Sequence, residues 1–320
     1  MFARAACLLL LCAPMTASAA TPVPQAGRID IDGRSREYLL VTPGAMPAGP
    51  RPLVMVLHGH TGTAANALGE GRSPSPLSAW LDIAAREKIL VAALQGLKGN
   101  DNQTGWNDCR ADAGNNPDGD DVAFAAAVAR RLITSGRVDA RRIYVMGMSN
   151  GAFMSLRLAL QMQPRPAAVA AAAGTMAEQS ECPDLPRAVS VLLIHGTADP
   201  LVPYGGGQVG LGRQRDRGGA QSVTATIDYW LRADGLQKAR PASFTFPHTG
   251  KGDTRASRQT WGADAGPQVQ LITVDKGGHV EPSRRYDYPL LYSAIVGPQN
   301  HDLEAAEEAW SFFSGKRALD

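Results

Sequence analysis

VMGMSNGAF, residues 145–153, decides how this chain is read. Apolar β-formers from Ile143 to Met146 run up to Gly147. Ser149 follows two residues later, and beyond it NGAFMSLRLALQMQ (150–163) has the spacing of a helix. G-x-S-x-G between a strand and a helix is the pattern of a nucleophile elbow. The reason is steric. A serine at the tip of so tight a turn holds a strained backbone, and the residues two before and two after come too close for side chains. Gly147 and Gly151 supply that clearance, and the helix N-terminus behind Ser149 favours a developing oxyanion.

Outward from this junction, short apolar runs alternate with helical patterns. RIDIDGRSREYLLVTPG reads as a hairpin turning at Asp32-Gly33. LVMVL (53–57), ILVAAL (89–94), RIYVMG (142–147), AAVAAAAG (167–174), VSVLLIHG (189–196) and VQLITVD (269–275) read as strands. Residues 78–88, 121–136, 150–163, 223–235 and 302–315 read as helices. The strands are continuous apolar runs, as expected when both faces are buried. The spacing therefore predicts an α/β fold with a mostly parallel, doubly wound sheet and an N-terminal antiparallel hairpin. No linker interrupts it, so residues 20–320 are expected to form one catalytic domain.

The 320 residues carry a net charge of +2, with 44% hydrophobic and 19% charged residues. That near balance gives no basic excess for nucleic acid. Arg4, the apolar stretch Ala5 to Cys12, and Ala17-Ser18-Ala19 read as an export leader cleaved after residue 19. The apolar run is too short to span a bilayer, so no membrane span is expected. The protein is read as secreted or periplasmic. Cys7 and Cys12 leave with the leader, and Cys109 and Cys182 remain in polar segments in an oxidising compartment, where a bridge is expected over free thiols. Neither has a second cysteine or histidine at ligand spacing, and the H-x-H of His58 and His60 lacks completing ligands. No metal and no cofactor are expected.

A serine needs a base, and the base an orienting acid. Two residues stand at later strand ends in the required chain order. Asp199 follows VSVLLIHG, and His279 follows VQLITVD. His248 and His301 fit less well, and His195, inside an apolar strand end, reads as packing. The oxyanion hole is expected from the amide of Asn150 and from that of His60, in LVMVL-HGHTG. Asp120 and Asp121 read as caps of the helix that follows.

With these residues in place, the chain resembles the secreted polyhydroxybutyrate depolymerase and feruloyl esterase group of α/β-hydrolases. The resemblance rests on GRSREYLLVTPG, LHGHTG, WNDC…DDVAF, RVDARRIYVMGMSNGAF, LLIHGTADPLVPYGGG, GGHVEP and AEEAWSFF. It implies an α/β-hydrolase fold, Ser149 as nucleophile, Asp199 as acid, His279 as base, and a disulfide bracing the loops near the site. Two positions depart from the group's pattern: His60 stands where many polymer-degrading members have Cys, and Glu281 where an aromatic is usual.

Small or polymeric esters are thus the expected substrates, with polyester oligomers or small esters first. Feruloyl or acetylxylan esters, a polyamide hydrolase or acyltransferase using the same triad, and a catalytically silent binding protein are the alternatives. The loop GGGQVGLGRQRDRGG (205–219) brings Arg213, Arg215 and Arg217, and the loop after His279 brings Arg284 and Arg285. These suggest recognition of an anionic group. Trp106 and Tyr204 are candidates for an aromatic substrate wall, while Trp230 reads as core. Oligomeric state is not legible.

Overall fold

The computed structural model describes residues 22–44, 46–71, 75–183, 188–212 and 217–319. The expected leader (1–19), Arg213 and Arg215 lie outside them. Ten strands form the main sheet: β1 Gln25–Ile31, β2 Arg34–Val41, β3 Arg51–Leu57, β4 Leu90–Leu94, β5 Val138–Met148, β6 Ala168–Ala172, β7 Ser190–Gly196, β8 Ala242–Thr245, β9 Arg255–Trp261 and β10 Val269–Asp275. Their spatial order is β1-β2-β4-β3-β5-β6-β7-β10-β9-β8. From β4 through β10 every pairing is parallel, and both flanks are antiparallel.

Both faces of the sheet are covered. In β3, Leu53, Met55 and Leu57 enter one core and Val54 and Val56 the other, the period of two of a strand buried on both sides. One core lies beneath helices α2 Asp121–Thr134, α3 Asn150–Gln161 and α4 Val223–Ala233, through Phe124, Leu158 and Trp230. The other lies beneath α1 Ala79–Glu87 and α6 Ala305–Phe313, through Trp80, Ile83, Phe312 and Phe313. Trp230 is core, as its helical position suggests.

The sequence expectations meet the structure closely, with three differences. The far edge strands β8 and β9 were not expected. β8 is exposed along its whole length, and β9 carries Arg, Ser, Gln and Thr, so neither shows the apolar signal of a central strand. A helix α5, Leu290–Val296, follows the loop after β10; its apolar residues mostly face outward and obey no core-facing period. Asp120 caps α2 by accepting the Ala123 amide at 2.8 Å, whereas Asp121 turns inward to a buried pair with Arg36 of β2.

Candidate active site

The chain leaves β3 for β4 on one side, while β5 pairs with β3 on the other. This reversal opens a crevice at the C-terminal ends of the strands, where ligands of open α/β sheets bind. The loops after β3, β5, β7 and β10 converge there.

Ser149 follows β5 with φ 55° and ψ −121°, a positive φ that non-glycine residues seldom adopt. Its amide is held by the Ala172 carbonyl at 2.8 Å. A Cβ on Gly147 would lie 2.0 Å from the Gly151 carbonyl oxygen, and one on Gly151 would lie 2.4 Å from that of Leu57. No side chain larger than hydrogen fits either position.

The structure brings Ser149, His279 and Asp199 into one hydrogen-bonded chain. His279 Nδ1 lies 2.8 Å from Asp199 Oδ2, and His279 Nε2 lies 2.8 Å from Ser149 Oγ. A carboxylate accepts from Nδ1–H, which leaves Nε2 free to accept the serine hydroxyl proton. Asp199 Oδ1 accepts the amides of Leu201 and Val202, both at 2.8 Å. Burial works to raise the Asp199 carboxyl, but His279 and these hydrogen bonds outweigh it and hold the group below its usual range. His195 packs at the strand end and donates from Nε2 to the Val202 carbonyl at 2.9 Å.

Asn150 begins α3 behind Ser149, and its side chain is fully engaged. Oδ1 accepts the Trp106 amide at 2.7 Å, while Nδ2 donates to the Trp106 carbonyl at 3.2 Å and to Asp108 Oδ2 at 2.7 Å. Asp108 is itself buried against Arg110, whose guanidinium lies 4.1 Å above the Phe153 ring. Arg110 also donates to the Arg217 carbonyl at 2.6 Å. Asp108 and Arg110 escaped the sequence reading. The clue was a charged pair flanking Cys109 in WNDCRAD, where solvated loop residues would be the ordinary reading.

The loop after β3 touches the serine closely: a Cβ on Gly59 would sit 3.4 Å from that of Ser149. His60 lines the cleft, and its Nε2 lies 3.0 Å from Asp101 Oδ2 without hydrogen-bond alignment. Burial, with Arg217 nearby, pushes its imidazole down. His58 is buried, donates from Nδ1 to the Gly59 carbonyl at 2.7 Å, and accepts the Gly96 amide at 3.0 Å. Burial lowers its pKa to about 4. Both ring nitrogens of His58 are thus occupied by backbone groups, one from its own loop and one from the loop after β4.

Other proposed substrate residues need correction. Trp106 is buried and donates its indole N–H to the His58 carbonyl at 2.8 Å, so it braces the loop after β3 rather than forming a wall. Tyr204 packs edge-on to His195, 3.2 Å from the Thr273 hydroxyl, and is not part of the cleft lining. Arg284 is spent on the Asp302 carbonyl and Arg285 on Asp82. Arg217 does line the cleft.

The cleft, of about 560 Å³, holds Ser149 and His279 at its base. Tyr288, Tyr292 and Ile295 form one wall, and Glu281 is buried beside them. The role of this wall was hidden in the sequence, because it depends on how α5 folds back over the site. Cys109 and Cys182 are joined, with Cα atoms 5.2 Å apart, and tether the loop carrying Asp108 to the segment after β6.

A sequence-family profile described as Phospholipase/Carboxylesterase matches residues 120–210, a span that includes Ser149 and Asp199. "Putative esterase NocK" of Nocardia uniformis subsp. tsuyamanensis is 33% identical over 301 residues, covering 91% of this chain and 82% of that protein. Feruloyl esterase C of Emericella nidulans is 31% identical over 175 residues, covering 54% of this chain and 58% of that one. Among solved structures, the acetyl xylan esterase from Aspergillus awamori superposes with a TM-score of 0.57 at 13% identity, covering 91% of this chain and 99% of its own. At that identity the likeness speaks for the fold, which is that of the α/β-hydrolases.

Proposed function

Because this chain belongs to the phospholipase/carboxylesterase family of α/β-hydrolases, we propose that it is a serine carboxylesterase working through an acyl-enzyme at Ser149. The observation that carries this is the relay of two 2.8 Å contacts from Asp199 through His279 to the serine hydroxyl. His279 takes the proton as Ser149 attacks the ester carbonyl. Asp199 keeps the imidazole in its tautomer and stabilises the imidazolium. The amides of Asn150 and His60 receive the oxyanion, and losing one such donor typically costs about two to three decades in rate. His279 then protonates the leaving alcohol and activates the water that frees the serine.

Substrates on this reading are small esters or polyester oligomers that fit the cleft beside Ser149, as in polyhydroxybutyrate depolymerase-like esterases. Feruloyl esters are the second reading, favoured by the likeness to feruloyl esterase C. We extend the proposal to export, which the leader pattern motivates and which suits the Cys109–Cys182 bridge. Protein recovered from the periplasm or medium should begin at Ala20, hydrolyse p-nitrophenyl acetate, and label with a fluorophosphonate. Ser149→Ala should abolish turnover and labelling while the protein stays folded. Labelling that survives the change refutes the nucleophile assignment.

A further inference from the structure

The wall formed by Glu281 and α5 has a composition that ester hydrolysis alone does not require. Glu281 is 1% exposed and lies two residues beyond His279. Among the described residues its carboxylate forms no ion pair and takes one hydrogen bond from another side chain, the Tyr288 hydroxyl, at 2.8 Å. Gln299 serves only its backbone carbonyl, at 2.9 Å. Burial pushes the carboxyl up; its own amide, the Tyr288 hydroxyl and His279 oppose this, and Glu304 reinforces it. A buried carboxylate whose hydrogen-bond donors, its own amide and a phenol, are both neutral is poorly compensated, and breaking even with water takes a counter-charge.

The surroundings say what kind of charge fits. The rings of Tyr288 and Tyr292 stand 4.9 Å apart, tilted by 34°, and both line the cleft with Ile295. Phenol faces attract diffuse, weakly hydrated cations, and an adjacent carboxylate adds to that attraction. Arg217 lines this cleft too, and it also borders a small second pocket beside Asn150 from which Glu281 is absent.

We infer that Glu281, Tyr288 and Tyr292 form a subsite for a quaternary or tertiary ammonium group, and that the enzyme favours esters carrying such a group over neutral esters of the same shape. The turnover part of this inference rests on the esterase reading; the binding part does not. The substrate charge sits against the Glu281 carboxylate, over the two phenol rings, while the ester carbonyl reaches Ser149.

The test compares acetylcholine with 3,3-dimethylbutyl acetate, which match in shape and differ in charge. Wild-type protein should favour the cationic ester in kcat/KM by about tenfold or more, and Glu281→Gln should bring that ratio to about one. Tyr292 is 41% exposed, so Tyr292→Ala is a second variant that spares the core; it should lower the same ratio in part. Calorimetric titration with phenyltrimethylammonium reads the subsite without turnover and should show binding that Glu281→Gln weakens about tenfold. A wild-type ratio at or below one, or a ratio and affinity that neither variant changes, overturns the subsite. Hydrolysis of both esters with no cation preference sinks the subsite and leaves the esterase reading intact. Glu281-dependent cation binding without hydrolysis of either ester keeps the subsite and sinks the esterase reading.

Discussion

At the scale of single residues, the site is set by side chains whose surroundings leave them one role. Ser149 holds a backbone that most residues avoid, and Gly147 and Gly151 are the positions where a side chain would collide with main chain. Both features were legible, because a tight turn writes its steric demands into adjacent positions. The support of Asn150 was not legible, because its partner Asp108 lies 42 residues away in sequence. Asp108 is fully buried and holds both the Asn150 amide group and the Arg110 guanidinium. Asp108→Ala leaves that guanidinium buried without its counter-ion, a change that typically costs about 3–5 kcal/mol. Chemical denaturation should show a loss of that size, and kcat should fall more than KM rises, because the amide next to Ser149 loses its anchor. Unchanged kcat in folded variant protein would remove Asp108 from the positioning of the site.

At the scale of elements, helix ends and strand ends do the placing. The Ser222 hydroxyl caps α4 by accepting the Ala225 amide at 3.0 Å. At its other end Asp234 accepts the Val189 amide at 3.1 Å, joining the helix to the start of β7. Among the described residues the second carboxylate oxygen of Asp234 has no hydrogen-bond partner, and burial raises its pKa to about 7. An unfolded aspartate titrates near about 3.9. Between about pH 4 and 7 the folded chain therefore holds a proton that the unfolded chain has released, so stability falls as pH rises through this window. A negative charge at a helix C-terminus is also unfavourable. Asp234→Asn keeps the amide contact without the charge. Its melting temperature should exceed that of wild type at pH 8, with the gain vanishing near pH 4. An equal gain at both values would show that the carboxylate stays ionised throughout. Asp199 runs the other way: its lowered pKa gives stability that is present above the ordinary carboxylate range and is lost only as pH falls through the depressed value.

At the scale of the whole molecule, the Cys109–Cys182 bridge closes a loop with a sequence separation of 73 and ties the segment holding Asp108 to the chain beyond β6. In the chain-entropy model a loop of this length contributes about 4 kcal/mol. Reduction under native conditions should lower the denaturation midpoint by a corresponding amount and reduce activity through the loop that braces Asn150. A reduced protein as stable as the oxidised one would assign the bridge no such part. Central strands such as LVMVL and VQLITVD, the elbow around Ser149, and the order Ser149, Asp199, His279 could be read directly. Continuous apolar runs, obligatory glycines and strand-end polar residues are local demands that one stretch of chain must meet alone. The far edge of the sheet, the inward turn of Asp121 toward Arg36, the burial of Trp106 and the Glu281–Tyr288–Tyr292 wall could not be read so. Each is fixed by a partner distant in sequence or by a helix folding back across the cleft. The sequence by itself determined the alternation of elements and singled out the candidates proposed here for acyl chemistry. Only the tertiary structure decided which polar groups are buried together, because burial and hydrogen-bond partnership belong to the packed chain and not to any segment of it.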